Sequence, residues 1–197
     1  MRIAPKSIIL VTASATLASV VLAGCASAPP PAESPPADVA MPTASSVASA
    51  VANLSAASGS LVSGRLTLRP MGDGIHVDGE IGGLPPGSNH GFHIHEKGDC
   101  SAVDATSAGG HFNPGGEPHG RATQPQHHAG DADNIVADAE GVATVDAHFS
   151  GVVLGGGGAN DAVGKAVIVH ADPDDYRSQP SGNAGARVAC GVIKAAP

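Results

Sequence analysis

An all-β domain, a Greek-key sandwich or barrel of about eight strands with two long functional loops, is the fold this sequence predicts. Three observations carry that expectation. The chain has 27 glycines and only 2% aromatic residues, a balance that suits many tight turns better than a helical bundle. Val, Ile and Thr fall in short runs that alternate with polar residues, the period of a half-buried strand. Two stretches, 100–133 and 172–185, have no periodicity, and structureless loops of that length inside a compact domain are usually functional. No internal repeat and no amphipathic helix competes with this reading.

Residues 1–24 have the form of an export signal. Arg2 and Lys6 form a basic start, and Ile8 to Ala23 is an apolar run. That run is short for a membrane span and no charged stop-transfer patch follows it. It ends in Leu22-Ala23-Gly24-Cys25, which resembles the bacterial lipoprotein cleavage box, whose cysteine becomes the lipidated N-terminus. The blander readings are an uncleaved anchor or an ordinary signal peptide. Acyl chains on Cys25 would bind the membrane by burying methylenes. An inner-membrane retention signal would carry Asp after the cysteine; Ala26 stands there. In a Gram-negative host that favours the periplasmic face of the outer membrane. Residues 25–54 follow as a lipidated cysteine and an Ala/Pro/Ser-rich tether, with too few large apolar side chains to offset ordering entropy. At most a short helical tendency is expected over 45–54. The folded domain is expected over 55–197.

Within that domain, Gly59 to Leu68 alternates in places and Ile75 to Ile81 alternates clearly, with Met71-Gly72-Asp73-Gly74 as the turn between them. Leu84-Pro85-Pro86-Gly87 breaks the pattern before the strand around His93-Ile94-His95. Residues 134–139 and 142–149 suggest a hairpin, with Val145, Ala147 and Phe149 on one face. Val163 to His170 and Arg187 to Ile193 are the remaining strands. The formal net charge is −8, and loss of Arg2 and Lys6 with the leader makes the mature chain more acidic still. Nucleic acid is therefore excluded as a natural partner. Of the cysteines, Cys25 belongs to the leader, which leaves Cys100 and Cys190 to pair in an oxidising compartment.

The ten histidines carry the chemistry. His93 and His95, at i and i+2 on a strand, point to one face and make half of a metal site. The loop 100–133 holds His111, His119 and His128 with Asp131 close behind. Three imidazoles and one carboxylate suit a closed tetrahedral zinc, which would order a loop with no core of its own. His170 ends an apolar strand and can join His93 and His95; ligation by imidazole alone suits copper. His111, first in the zinc loop, has two ring nitrogens, but spacing alone does not propose it as a bridge.

Gly91-Phe92-His93-Ile94-His95-Glu96, Ala108-Gly109-Gly110-His111-Phe112-Asn113-Pro114, His128-Ala129-Gly130-Asp131 and Gly182 to Ile193 together resemble the copper/zinc superoxide dismutases. The resemblance spans about 61–193. It implies copper on His93, His95, His111 and His170, and zinc on His111, His119, His128 and Asp131, with His111 bridging. It implies a Cys100–Cys190 disulfide, which chain entropy would value at roughly 4.5 kcal/mol. It places Arg187 beside the copper to attract the anion, and Asp174 in hydrogen bonds to His93 and His119 that fix their tautomers. The implied reaction is the disproportionation of superoxide to dioxygen and hydrogen peroxide, with His111 as proton carrier. Two departures stand out. The loop 172–185 is shorter than in eukaryotic members and lacks their acidic-plus-Lys cluster, so steering falls to Arg187, helped by Arg177 or Lys97. Cys100 comes directly after Gly98-Asp99, with more residues before His111, so the local disulfide geometry is expected to differ.

Other histidines have plainer readings. His76 and His148 read as surface strand residues, His90 as a hydrogen-bonding residue that holds loops, and His127 as a weaker rival of His128 for zinc. Glu96 and Asp99 read as solvated, and Gly155 to Gly158 lacks the Lys-Ser/Thr of a phosphate loop. The competing function is a non-catalytic copper- or zinc-binding lipoprotein on the same fold, a store or delivery module. Such a protein would tolerate loss of Arg187, the bridge or a copper ligand, and all are present. A cell-surface adhesion sandwich leaves the ligand set unexplained. A homodimer is left open by the sequence.

Overall fold

The computed structural model describes residues 44–197. The expected signal peptide, Cys25 and most of the expected tether lie outside the described residues. Among the described residues there are nine strands, β1 (Ala50–Ala56), β2 (Ser63–Met71), β3 (Gly74–Gly82), β4 (Asn89–His90), β5 (Phe92–His95), β6 (Ile135–Val136), β7 (Ala143–Ser150), β8 (Ala166–His170) and β9 (Arg187–Ala195), and a single helical turn, the 3₁₀ turn Thr106–Ala108. Seven strands form one sheet in the order β5-β8-β9-β1-β2-β3-β7, and β4 and β6 form a second, two-stranded one. No helix among the described residues is long and apolar enough to cross a membrane.

The curled sheet closes on an apolar centre because alternate residues on each strand turn inward. Leu66 and Leu68 of β2, Ile75, Val77 and Ile81 of β3, Val145 and Phe149 of β7, and Phe92 and Ile94 of β5 are all buried there. Phe92 and Phe149, from opposite ends of the strand order, meet with ring centroids 6.2 Å apart, within the range of favourable tilted aromatic pairs.

Two expectations need correction. Residues 50–54 were expected in the tether, with at most a helical tendency, yet they form the first part of β1, paired to β2 on one side and β9 on the other. Ala50, Ala52 and Leu54 point inward and are buried. Alanine has no strand preference of its own, so neighbours on both sides impose the conformation. Order begins even earlier: Ser46 and Val47 N–H both donate to the Leu154 carbonyl. The expected hairpin also differs. The turn at 138–142 forms, with Asp138 N–H donating to Val142 O, but β6 pairs with β4 rather than β7.

Candidate metal centre

Strand β5 is an edge, and an edge strand needs partners for its outward backbone groups. The loop after it supplies them. Phe112 N–H donates to Ile94 O, and Ile94 N–H donates to Gly130 O, with His95 bridged to His111 and His93 to Asp131. The loop is thus folded back along β5, so that backbone pairing sets His111 and Asp131 beside His93 and His95. A Cβ at position 130 would lie 2.3 Å from Ile94 O, which is why glycine stands there. On the other side, β5 pairs with β8, which carries His170 at its end.

Two groups of side chains result. His93, His95, His111 and His170 are all buried, with ligand atoms within 4.8 Å of one another. Hydrogen bonds fix which nitrogen each presents. His95 Nδ1–H donates to Gly109 O (2.9 Å) and His170 Nδ1–H to Gly185 O (3.3 Å), so their Nε2 lone pairs face each other at 3.4 Å. His93 Nε2–H donates to Asp174 Oδ2 (2.8 Å). Its Nδ1 and the Nε2 of His111 are buried without a hydrogen-bond partner. Burial, reinforced by the neighbouring imidazoles, pushes His170 down to about 3 and His111 to about 4. Burial likewise holds His95 well below its usual range. Four imidazoles with ring nitrogens this close together fit a soft-to-borderline cation such as copper.

The second group is His111, His119, His128 and Asp131, also buried with ligand atoms within 4.8 Å. Asp131 Oδ1 is its centre, 2.7 Å from His111 Nδ1, 3.0 Å from His119 Nδ1 and 3.3 Å from His128 Nδ1. Burial opposes the charge on Asp131, but the three imidazoles overrule it and hold the carboxyl far below its ordinary value. Burial likewise opposes charge on His119, while Asp131 and Asp174 raise it to about 9. This pocket draws positive charge, and its three nitrogens and one oxygen fit tetrahedral zinc. His111 is the one residue common to both groups.

Asp174 joins the two. Its Oδ2 accepts from His93 and its Oδ1 from His119 Nε2–H (3.0 Å). A side chain at position 182 would place Cβ 1.7 Å from Asp174 Oδ1, and that backbone has φ +65°, so only glycine lets the carboxylate reach both rings. Arg187 is half-buried. It donates to Ala105 O (2.7 Å) and to Gly109 O (2.6 Å), the carbonyl that also holds His95. Among the described residues no carboxylate forms an ion pair with it. Cys100 and Cys190 are disulfide-bonded, with Cα atoms 5.8 Å apart, which ties the start of the loop to β9.

The remaining histidines take other places. His90 is buried and bonded to His170 O (2.7 Å) and Ser88 Oγ (2.6 Å). His127 Nδ1 donates to His128 O and joins neither group. Glu96 and Asp99 serve local backbone N–H groups, those of Gly110 and Ser101. Lys97 and Arg177 make no hydrogen bond to the clusters.

Three supports were not visible in the sequence reading. Asn134 clasps the backbone of Asp174 through both its amide atoms (2.8 and 3.0 Å). Gln179 does the same for His119, accepting from its N–H and donating to its carbonyl, each at 2.8 Å. The third is the Gly109 carbonyl itself. Asn134 stands three residues after the candidate ligand Asp131, a spacing that could have raised it; nothing in the sequence points to Gln179.

A curled all-β sheet carrying two candidate metal pockets that share His111 defines a class of two-metal β proteins. Residues 62–193 match the copper/zinc superoxide dismutase (SODC) family. The chain is 42% identical over 136 residues to superoxide dismutase (Cu-Zn) 2 of Aquifex aeolicus (strain VF5), covering 68% of this chain and 80% of that protein. It is 43% identical over 136 residues to the superoxide dismutase (Cu-Zn) of Caulobacter vibrioides, covering 66% and 78%. Among solved structures, the clock protein EA4 superposes with a TM-score of 0.67 at 38% identity, over 76% of this chain and 96% of that one. A SOD-like protein from Bacillus subtilis gives 0.65 at 38% identity, over 72% and 95%. The chain belongs to the copper/zinc superoxide dismutase family.

Proposed function

We propose that the protein disproportionates superoxide to dioxygen and hydrogen peroxide, with copper held by His93, His95, His111 and His170 and zinc by His111, His119, His128 and Asp131. The observation that carries this reading is the shared imidazole: His111 Nδ1 belongs to the carboxylate-centred pocket, and its Nε2 is left to the all-imidazole one. Copper held there would supply a one-electron redox couple for this reaction.

The chain's own groups do the rest. Arg187 brings the substrate in. The protein is anionic overall at −8, so attraction for an anion has to be local, and a guanidinium without a carboxylate partner supplies it. His111 holds and passes a proton at Nε2. Asp174 fixes the tautomers of His93 and His119, so that each ring presents Nδ1. The test is dismutase activity of the folded domain after copper and zinc loading, with metal content measured on the same sample. Activity proportional to copper supports the reading; stoichiometric copper without dismutation overturns it in favour of storage.

Residues 1–24 act in this proposal as a lipoprotein signal and Cys25 as the acylated anchor, with the catalytic domain exported and, in a Gram-negative host, held at the periplasmic face of the outer membrane. Leu22-Ala23-Gly24-Cys25 supports the anchor, and a Cys100–Cys190 disulfide suits an oxidising compartment. Fatty-acid labelling of the wild type and of Cys25→Ser tests this; equal labelling would exclude Cys25. Sedimentation of the folded domain decides between monomer and homodimer.

A further inference from the structure

Among the described residues, buried ring nitrogens without a hydrogen-bond partner occur on His93, His111, His128 and one histidine far from them in sequence, His148. The first three are ligands of the centre described above. We propose that His148 also belongs to a metal site, a third one on the outer face of the β3–β7 ladder, which takes a divalent transition metal of the copper(II) type.

The arrangement around His148 repeats that of His93. His93 gives Nε2–H to Asp174 at 2.8 Å and leaves Nδ1 unpartnered. His148 gives Nε2–H to Asp73 Oδ1 at 2.8 Å and leaves Nδ1 unpartnered. In both, a carboxylate fixes the tautomer and raises the basicity of the other nitrogen, the role such partners play behind metal-bound imidazoles. His148 is not isolated. Its antiparallel register partner is His76, and side chains of directly opposed residues project from the same side with Cβ atoms about 5 Å apart. His76 Nε2 lies 3.6 Å from Asp146 Oδ1, and Asp146 stands two residues before His148 on the same face of β7. Two imidazoles therefore sit side by side across one ladder, one hydrogen-bonded to a carboxylate and the other with a carboxylate 3.6 Å away.

Donors of this kind, imidazole and carboxylate without thiolate, favour copper(II) among first-row divalent ions. The two ion pairs are not gathered on one point in this structure. The side chain that must turn is Asp146, which is exposed. β7 is the outer strand of the sheet, and an open cavity of about 470 Å³, lined by Thr144, Asp146, His148 and Ser150, runs alongside it. Water ligands can complete the coordination there.

The test uses the holoenzyme with both native pockets filled. Equilibrium dialysis against copper(II) chloride, with metals counted by mass spectrometry, should show one further copper per chain. His148→Gln and His76→Gln should each weaken that copper by about tenfold or more, while native copper, native zinc and dismutase rate stay unchanged. His127→Gln, a half-buried histidine outside all three sites, should leave it untouched. Wild type that takes up no further copper overturns the proposal. So does uptake undiminished in both His148→Gln and His76→Gln, or uptake lost only in His127→Gln.

Discussion

His93, His95 and His170 ride on β5 and β8, neighbouring strands inside a seven-stranded sheet, whereas His119, His128 and Asp131 ride on a loop with a single 3₁₀ turn. The electrostatics differ in the same sense. Of the strand-borne imidazoles, His95 and His170 are pushed towards neutrality by burial and by neighbouring imidazoles. The loop-borne group is centred on a carboxylate and draws a proton onto His119, raised to about 9. One pocket is held in shape by the sheet and offers lone pairs. The other is held by backbone pairing of its loop to β5 and by the charge of Asp131. A cation bound in the second pocket would add its binding free energy to the order of that loop.

Asp131→Ala should break that contrast most sharply. It removes the oxygen shared by three imidazoles, so zinc affinity should fall by more than about a hundredfold, beyond what loss of a hydrogen-bonding neighbour costs. Copper on the strand-borne imidazoles should survive. Metal content after dialysis against a chelator reads both at once, and equal loss of the two metals would show that the pockets are not independently built.

Asp174→Ala comes next and probes the link between them. It strips Nε2 of both His93 and His119 of its acceptor, and such losses cost about ten- to a hundredfold in metal affinity. Both metals should weaken, zinc more, since His93 is also fixed by β5. Weakening of zinc alone would mean that Asp174 serves only the loop pocket.

The same contrast separates what was legible in the sequence from what was not. His93-Ile94-His95 could be placed because the period of a strand is local, and the faces of 145–149 and 75–81 followed for the same reason. Residue types marked 111–131 as a candidate metal loop, but the bridging role of His111 and the pairing of Asp174 with His93 and His119 came only from the family resemblance, since a structureless loop has no period to read. Missed were the pieces whose meaning is long-range. Ala50 and Ala52 carry no strand signal, and only β2 and β9 on either side make them one. Gln179 meets His119 across sixty positions. His76 and His148 read correctly as strand residues with a polar outlook, but their pairing depends on the β3–β7 register.

Arg187→Ala should cost less, lowering the dismutation rate by about tenfold and flattening its dependence on ionic strength, with copper content unchanged. The guanidinium also donates to Gly109 O, the carbonyl that holds His95. Arg187→Lys separates the two roles. It keeps the charge and should keep the salt dependence, while any loss of copper would trace to His95. A rate unaffected in Arg187→Ala would count against steering.

The smallest expected effect belongs to Gln179→Ala, and it tests whether the loop pocket is held from behind as well as by its metal. Gln179 lies on the 172–185 loop, touches no ligand atom and makes two hydrogen bonds to the His119 backbone. Their removal should cost about 1–3 kcal/mol, mostly because the half-buried His119 N–H loses its acceptor. If zinc binding has to restore that order, zinc should leave several-fold faster and amide exchange across 115–128 should rise. Copper affinity should not move, since His93, His95 and His170 are positioned by β5 and β8. Gln179→Glu keeps the acceptor for His119 N–H but loses the donor to its carbonyl, so it should fall between wild type and alanine. If zinc release is unchanged in Gln179→Ala, the four ligands and Asp174 alone shape the loop pocket, and the two pockets differ in charge rather than in rigidity.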